Sequence, residues 1–428
     1  MRVNEKIEKI TENMLICGID VGKTKCCARF CNFRGMEVYH KVWFDRTEDL
    51  DVIGAHITAA MCKESLTKVL VSFEPTGHYW LNIDKYFKDN NIETVLMPTQ
   101  TVHQEKGVHD GENIKSDPKD AILIARLTSE GKYVKPIERN ELYQDIYSGY
   151  NQYDDIQIEI NRIKNKIHVW NDKYFPELEH VYTIKSVAIK AIYENQLLPS
   201  EIAEISEEEF IRIMTENNHS ADKKAIKEVK KLAENTSGIK ADVFTKKEIK
   251  RLYERYQVLL KELENVEKEL IELASGIDYV EKAVEISGVG YISIIGIIAE
   301  TGDLNNYDHA KQVLKMSGLS LKESSSGQKK GKKHISKRGR AKLRRNLKQT
   351  GVSLVRNNSF FMQLHTYYTT ERTNMLSKII SINAIIRKFV YILMAIVKNG
   401  ESFDIEKAKR ESQIFYSKTV TQQSLTTS

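Results

Sequence analysis

The sequence predicts a mixed α/β domain followed by a longer, mainly helical region. Over roughly the first 135 residues, apolar runs rich in Val, Ile, Leu and Phe alternate with helical patterns. Later in the chain, apolar side chains recur every three or four positions, which is the spacing of an amphipathic helix. No proline follows Pro199, so this later part lacks the strongest helix breaker. The 428 residues are enough for two or three domains with their own cores.

The N-terminal part is predicted to be a layered α/β domain. Its elements follow the order strand, strand, strand, helix, strand, helix, strand, helix. The strands are expected at 15–19, 25–30, 37–44, 68–73 and 94–97, and the helices at 48–62, 79–89 and 117–130.

Two long amphipathic helices are predicted in the middle of the chain. Apolar residues recur at helical spacing from about Asn140 to Trp170 and again from Leu252 to Leu273, with charged residues between them. Such helices form either a coiled-coil arm, within one chain or between protomers, or the core of a helical bundle. Shorter helices and polar linkers are expected between them, over residues 175–238.

The C-terminal part is predicted to be helical up to an apolar helix at 375–397. Near its start, Gly288 and Gly290 separate two helical patterns, which resembles a helix-hairpin-helix motif. There a glycine turn presents backbone N–H groups to a phosphate, although glycine turns also serve as plain connectors. The final residues, 417–428, are rich in Thr, Ser and Gln and are expected to be disordered.

The composition favours a soluble protein of the cytoplasm. No run reaches the roughly 18 apolar residues that span a bilayer, so no membrane is expected as a partner. The charged N-terminus lacks the apolar core of a secretory signal. All five cysteines lie within the first 62 residues without a second Cys or a His at zinc-site spacing, so we expect them to be reduced and mostly buried.

Positive charge is concentrated in one segment. The formal net charge is +6, yet residues 324–370 contain twelve basic residues and no acidic one, which leaves the rest of the chain net acidic. An ordinary solvated surface would contain some Asp or Glu. The segment therefore predicts binding to the phosphate backbone of a nucleic acid. The residues expected to bind are Lys329, Lys330, Lys332, Lys333, Lys337, Arg338, Arg340, Lys342, Arg344 and Arg345.

Four acidic residues occupy related positions in the α/β domain. Asp20 follows the first strand, Glu74 follows the fourth, and Asp117 and Asp120 lie one turn apart at the start of the last helix. Taken singly, Asp117 is a helix cap with Pro118 in the first helical position, and Asp20 and Glu74 are surface loop acids. Taken together, they match the ribonuclease H-like arrangement, in which carboxylates converge to hold Mg²⁺.

A serine cluster directly precedes the basic segment. Ser324, Ser325 and Ser326 lie before Gly327. A serine beside glycine, next to a cationic surface, is suited to attack a phosphodiester and form a phosphoserine that preserves the bond energy for later rejoining. A flexible Ser/Gly linker accounts for the same local sequence.

These segments together resemble a family of insertion-sequence transposases with a DEDD acidic tetrad, which is related to the Piv-type DNA invertases and described as bridge-RNA-guided serine recombinases. The resemblance covers about residues 15–400. The matching segments are Gly-Ile-Asp-Val-Gly-Lys, Glu-Pro-Thr-Gly-His-Tyr, Lys-Ser-Asp-Pro-Lys-Asp-Ala and, near the C-terminus, Ile-Ser-Lys-Arg-Gly. Ser116, Ser287 and Ser320 depart from the residues common in the family at turns. The tetrad maps to Asp20, Glu74, Asp117 and Asp120, and the family's serine before glycine selects Ser326.

The resemblance also implies a domain organisation. An extension at 1–14 would precede a RuvC-like catalytic domain at 15–135. A helical coiled-coil segment at 136–275 and a C-terminal transposase domain at 276–400 would follow, with a tail at 401–428.

The implied activity is site-specific DNA recombination. The tetrad would hold Mg²⁺, with Mn²⁺ as a substitute, and Ser326 would be the nucleophile. Implied partners are donor and target DNA, further copies of the chain in a dimer or tetramer, and a structured bridge RNA encoded by the element. The donor and target sites would then be selected largely by base pairing between this RNA and the DNA.

Three other functions account for part of the sequence. A RuvC-like resolvase would use water as the nucleophile and leave DNA without a protein adduct. A nucleic-acid-binding scaffold would explain the basic segment but not the four acids. A sugar kinase begins with a similar strand and glycine turn around Asp20, but it needs a Gly-rich C-terminal α/β domain, whereas the later chain is helical.

Overall fold

The computed structural model describes residues 3–75, 77–109, 116–216, 222–323 and 333–411. The chain forms two compact units, Met1–Glu138 and Arg139–Ser428. The first contains a mixed sheet with helices and the second is mostly helical, which confirms the predicted sequence of an α/β region and a helical region.

The strands described in the first unit form one mixed sheet in the order β3-β2-β1-β4-β5. They are β1 (Met14–Asp20), β2 (Lys25–Cys31), β3 (Glu37–Asp45), β4 (Lys68–Phe73) and β5 (Glu93–Leu96). The helices are α1 (Val3–Glu8), α2 (Leu50–Lys63), α3 (Leu81–Asp89), α4 (Thr99–His109) and α5 (Asp117–Ser129). The predicted strands and helices are confirmed to within two residues at each end, and α1 and α4 are additional.

The central strand β1 is apolar on both faces because helices cover both sides of the sheet. It pairs antiparallel with β2 and parallel with β4. Leu15 and Ile19 pack in a core with side chains of α2 and α3, whereas Ile16 belongs to a second core with Ile124 of α5. The side of the sheet that α5 covers will be called the α5 face.

The cysteines are free thiols, as predicted. Cys17, Cys26, Cys27 and Cys31 are buried in β1 and β2, and Cys62 is exposed on α2. Burial raises the pKa of the Cys26 thiol to about 11, so the thiol is neutral and acts as a small apolar side chain.

In the second unit, two long helices form an antiparallel pair. These are α6 (Glu141–Tyr174) and α12 (Val243–Ala274). Near the end of α6, the Trp170 indole donates a hydrogen bond to the Thr245 carbonyl oxygen at 3.1 Å. Near its start, Gly149 lies against Leu270. The pair therefore forms within one chain. Whether it also acts as a coiled-coil arm stays a prediction.

Each end of the α6–α12 pair is buried in a separate helical core. One core contains the short helices between the two long ones, as predicted for this stretch. They are α7 (Leu178–Val181), α8 (Val187–Glu194), α9 (Pro199–Glu204), α10 (Glu207–Thr215) and α11 (Lys223–Glu234).

The other core contains the C-terminal helices. They are α13 (Asp278–Val284), α14 (Tyr291–Thr301), α15 (Ala310–Met316), α16 (Ala341–Asn357), α17 (Ser359–Thr366), α18 (Lys378–Asn399) and α19 (Ile405–Glu411). A two-stranded ribbon, β6 (Leu321–Glu323) and β7 (Lys333–Ile335), lies between α15 and α16. The tail predicted to be disordered, 417–428, lies outside the described residues.

Among the described helices, α18 is long and apolar enough to cross a membrane by length and composition. The core helix of a soluble protein meets the same criterion. Ile385, Phe389 and Leu393 of α18 are buried in the helical core of the second unit, so packing within the protein accounts for part of this apolar composition.

Candidate active site

Asp20 and Glu74 lie at the ends of neighbouring parallel strands. Asp20 is the last residue of β1, and Glu74 directly follows β4. Ile19 of β1 is opposite Phe73 of β4, and each acid is the next residue along the chain, so the two acids occupy corresponding positions at the ends of their strands. Because parallel strands end at the same edge, the carboxylates come from adjacent positions, as the sequence predicted.

Helix α5 brings the other two acids to this edge. Gly18 allows the close approach, because a Cβ atom there would lie 2.3 Å from the Ala121 carbonyl oxygen and 2.5 Å from the Ala125 nitrogen. Gly18 and Asp20 are two residues apart on β1 and therefore share the α5 face. Asp117 and Asp120 form the first turn of α5.

The predicted capping role of Asp117 is wrong. Ser116 is the N-cap residue of α5, and its extended backbone precedes Asp117 in the first helical position. The Ser116 side chain makes no capping hydrogen bond. Asp117 is exposed, whereas Asp120 is buried. Both carboxylates lie in the first turn, where the helix dipole favours negative charge.

All four acids interact electrostatically. Burial, followed by the charges of Asp120, Asp117 and Glu74, raises the pKa of Asp20 from 3.8 to about 6. The positive charge of Lys106 opposes this increase. Repulsion from the three carboxylates adds to the larger effect of burial, and a bound cation would relieve this repulsion.

A lysine neutralises part of this negative charge. The Lys106 Nζ atom on α4 lies 2.6 Å from Asp120 Oδ2. The Asp120 side chain is 12% exposed and the Lys106 side chain 34% exposed, so the ion pair is partly shielded from water. The ammonium therefore provides a protein counter-ion for one carboxylate of the acidic cluster formed by Asp20, Glu74, Asp117 and Asp120.

The acidic cluster fits a hard divalent cation in its chemistry. All its donor atoms are carboxylate oxygens, which Mg²⁺ and Mn²⁺ prefer, and the charges of the other three acids add to the effect of burial on the pKa of Asp20. Within the part of the chain that the structure describes, no group of three or more His, Cys, Asp or Glu side chains is already arranged to hold a metal ion. Binding would therefore require these side chains to rearrange.

The predicted nucleophile Ser326 lies outside the described residues, as do Lys329, Lys330 and Lys332. The described chain on either side forms the ribbon of β6 and β7. Its strands are antiparallel, with Leu321 opposite Ile335. The backbone of Lys333 belongs to β7.

Four of the basic residues predicted to bind nucleic acid have partners within the protein. Arg340 pairs with Glu300 at 3.4 Å, and Arg344 donates hydrogen bonds to the carbonyl oxygens of Ser317 and Lys337. Lys342 and Arg345 both pair with Asp154 on α6. Lys337 and Arg338, in contrast, are exposed.

The carboxylate of Asp154 is the buried centre of this ion-pair network. Its side chain is 8% exposed, and Lys342 Nζ lies 3.3 Å away. Burial raises the pKa of Asp154, but the hydrogen bonds and charges of Arg345 and Lys342 outweigh that effect and lower it. Lys342 and Arg345 thus attach α16 to α6 in addition to any contact with nucleic acid.

The predicted glycine turn lies between α13 and α14. Gly288 adopts φ +93°, and a Cβ atom there would lie 3.0 Å from the Ser353 carbonyl oxygen on α16. The Ser287 hydroxyl donates a hydrogen bond to the Asn357 carbonyl oxygen at 2.9 Å. The turn is therefore packed against the C-terminal end of α16, which accounts for Gly288. Phosphate binding by this turn stays a prediction.

Two comparisons with protein families identify the chain. Residues 17–176, which contain the four acids, match the family model of DEDD transposases of the IS110 type. Residues 281–368 match the model described as transposase IS116/IS110/IS902 family. The chain belongs to the IS110 family of DEDD transposases. Among curated proteins, none shows significant sequence similarity to it.

Membership indicates an enzyme that cleaves and recombines DNA during transposition of an insertion sequence. The DEDD domain of such a transposase also indicates dependence on a divalent metal ion. The acidic cluster lies within the first matched region, and the exposed Lys337 and Arg338 lie within the second.

Sequence reasoning missed two charged residues that form ion pairs shielded in part from water, Lys106 with Asp120 and Asp154 with Lys342. Asp154 carried a recognisable signal, because it follows Tyr150 by four residues and thus interrupts the apolar stripe of α6 with an acid. Lys106 carried no such signal, because α4 was not predicted and, among the side chains described at 99–106, only Val102 is buried.

Proposed function

We propose that this transposase is a site-specific DNA recombinase in which Asp20, Glu74, Asp117 and Asp120 hold Mg²⁺, with Mn²⁺ as a substitute, and Ser326 is the nucleophile. The observation that carries the metal site is that the end of β1, the end of β4 and the first turn of α5 bring the four acids to one edge of the sheet. The choice of Ser326 rests on the family resemblance. A bound divalent ion would stabilise the charge that develops on the transferring phosphoryl group.

In the proposed step, the Ser326 hydroxyl oxygen forms a bond to a DNA phosphorus atom. The bond from that phosphorus to a deoxyribose oxygen breaks, and the hydroxyl proton passes to the leaving oxygen. The resulting phosphoserine preserves the phosphoester bond, so that a second DNA hydroxyl can displace the serine and rejoin the strands. The exposed Lys337 and Arg338 would bind the DNA backbone, together with Lys329, Lys330, Lys332 and Lys333.

The role of the acidic cluster is testable by excision and insertion of a marked element in cells. We expect Asp20→Asn and Asp120→Asn to abolish recombination while the protein remains folded and binds DNA. Asp89→Asn is the matched control, because Asp89 is an exposed acid on α3 that pairs only with Lys85 among the described residues. Unchanged recombination in the two cluster variants would favour the scaffold function instead.

A structured RNA encoded by the element is proposed as a further partner. Base pairing of this RNA with donor and target DNA would select the sites and leave the protein to bind shape and backbone. Sequencing of RNA that copurifies with the protein tests this. We expect one RNA that is encoded beside the gene and pairs with the flanking DNA. A mixture that merely reflects cellular RNA would contradict RNA guidance.

The proposed enzyme acts in the cytoplasm as a dimer or tetramer in which the acidic cluster of one protomer complements Ser326 of another. The proposed domains are RuvC-like, with a ribonuclease H-like fold (15–135), coiled-coil (136–275) and C-terminal transposase (276–400). Mixing Asp20→Asn with Ser326→Ala tests the shared site. Restored recombination is expected, because one combination of protomers contains both intact parts. If each protomer used its own serine, no activity would return.

A further inference from the structure

An exposed tryptophan lies in the same row of the sheet as Asp20. Asp20 of β1 is opposite Cys27 of β2, and Cys27 is opposite Trp43 of β3. Side chains directly opposite each other stand on the same face of a sheet, so Trp43 shares the α5 face with Asp20. Adjacent strands lie about 4.8 Å apart, which separates the two residues by about 10 Å.

Trp43 is 44% exposed, although tryptophan has one of the largest apolar side chains. Helix α5 packs on β1 and β2, whereas α2 covers β3 from the opposite face. The buried side chains of β3 are Val42 and Phe44, which alternate with Trp43. The indole is therefore not required to fill the core beneath β3.

Two exposed lysines surround this indole. Lys41 lies two residues before Trp43 on β3, and Lys25 lies two residues before Cys27 on β2, so both share the α5 face. Among the described residues, neither lysine forms an ion pair. The opposite residue of Lys25, Asp45, accepts hydrogen bonds from the backbone and hydroxyl of Thr47.

Cys27 lies between these groups, because it is opposite Asp20 on one side and Trp43 on the other. Burial raises the pKa of its thiol to about 11, the charges of Arg29 and Lys41 oppose the increase, and those of Asp20 and Asp117 add to it. Positive charge on one side of Cys27 thus faces the acidic cluster on the other. Arg29 itself pairs with Glu37 at 2.5 Å.

We propose that Trp43, Lys41 and Lys25 form a binding site for an unpaired DNA strand beside the acidic cluster. The indole stacks on a base and the ammonium groups bind adjacent phosphates, which is how proteins hold single strands without reading their sequence. A duplex offers no free base face to the indole. The site would therefore hold the strand next to the phosphate on which the acidic cluster acts, and to that extent it rests on the proposed function.

Binding of a fluorescein-labelled single-stranded oligothymidylate to the full chain, in the presence of a chelator, tests the proposal. We expect Trp43→Ala to weaken binding about five- to 150-fold, the range for loss of one stacked base. Trp43→Phe should recover most of the affinity because it keeps an aromatic ring. Val52→Ala is the matched control, since Val52 is exposed on α2, which covers the opposite face. Lys41→Ala should weaken binding more than Lys63→Ala, which removes an exposed lysine of α2.

Several results would overturn the proposal. One is an unchanged affinity of Trp43→Ala for the oligothymidylate. Others are an equal loss of affinity for the single strand and for a duplex, or a larger loss of affinity for oligouridylate than for oligothymidylate. A variant that changes the self-association of the protein but not its DNA binding would also overturn the proposal. Denaturation curves establish that each variant is folded. If Trp43→Ala does not fold, the comparison of Lys41→Ala with Lys63→Ala is the test, and equal affinities in these two variants would overturn the proposal. If the Asp20 and Asp120 variants still recombine DNA while Trp43→Ala loses binding, the proposed function fails. If those variants are inactive and Trp43→Ala binds normally, only this inference fails.

Discussion

Gly18 of β1 and Ala121 of α5 approach so closely that a Cβ atom on Gly18 would lie 2.3 Å from the Ala121 carbonyl oxygen. This approach sets the separation between Asp20, two residues further along β1, and the two acids in the first turn of α5. The geometry of the acidic cluster therefore depends on a residue that has no side chain to contribute to it.

Gly18→Ala is expected to push α5 away from the sheet. Overpacking of this kind costs about 1–3 kcal/mol, so the melting temperature should fall, and Mn²⁺ binding should weaken because Asp117 and Asp120 move with α5. Thermal denaturation and calorimetric titration measure the two effects. Gly276→Ala is the control, because no atom lies within 4 Å of a Cβ atom placed there. Equal effects in both variants would contradict the proposed role of the contact.

The contribution of Asp20 to the stability of the metal-free protein is expected to fall as the pH rises from about 4 to about 6. Asp20 has a pKa raised from 3.8 to about 6 in the folded state, so its protonation stabilises the fold, and that contribution is lost as Asp20 ionises. Denaturation in chelator across this range tests the prediction. Asp20→Asn should remove this component, and Mn²⁺ should oppose the loss above pH 6. An identical pH profile in Asp20→Asn would contradict the prediction.

Lys106→Met is expected to increase Mn²⁺ affinity about two- to fivefold, which corresponds to about 0.5–1 kcal/mol for loss of this partly shielded ion pair. The reason is that the ammonium 2.6 Å from Asp120 competes with a metal for this carboxylate. Calorimetric titration is the measurement. Lys132→Met is the matched control, because Lys132 pairs with Glu105 and Glu130, outside the acidic cluster. Weaker binding in Lys106→Met would show that the lysine supports the metal site.

Asp154→Ala is expected to lower the free energy of unfolding of the second unit by about 1–3 kcal/mol, because Lys342 and Arg345 lose their buried partner. Both cations are partly exposed, which keeps the effect below that of a fully buried pair. Denaturant unfolding measures it. The neighbouring Asp155 is exposed, so Asp155→Ala should leave stability nearly unchanged. If the two variants unfold alike, the ion pairs contribute little to stability.

Most of the first unit could be predicted from the sequence because its elements have strong local patterns. The apolar run of β1 predicted that this strand ends near Asp20, and the spacing of Asp117 and Asp120 predicted that both lie one turn apart at the start of a helix. The ends of neighbouring parallel strands bring acids together whatever the loops between them look like. The partners of the basic residues could not be predicted in this way. Lys342 and Asp154 are far apart in sequence, and only the packing of α16 on α6 joins them.

The position of Trp43 illustrates the same limit. Alternation along β3 predicts that Trp43 and Val42 face opposite sides, but only the register of β1, β2 and β3 aligns Trp43 with Asp20. Likewise, Lys106 became relevant only through the placement of α4 beside Asp120. Local sequence patterns thus predicted the elements, whereas contacts between residues distant in sequence determined which side chains lie next to the acidic cluster.

The most direct test of the account is the product formed on DNA. The purified protein with its copurifying RNA is incubated with Mg²⁺ and labelled DNA that spans the ends of the element, and the products are separated under denaturing conditions. We expect a covalent protein–DNA adduct whose linked peptide contains Ser326, and which is lost in Ser326→Ala and in Asp20→Asn. Metal-dependent cleavage that leaves DNA free of protein, and that persists in Ser326→Ala, would contradict it and indicate water as the nucleophile.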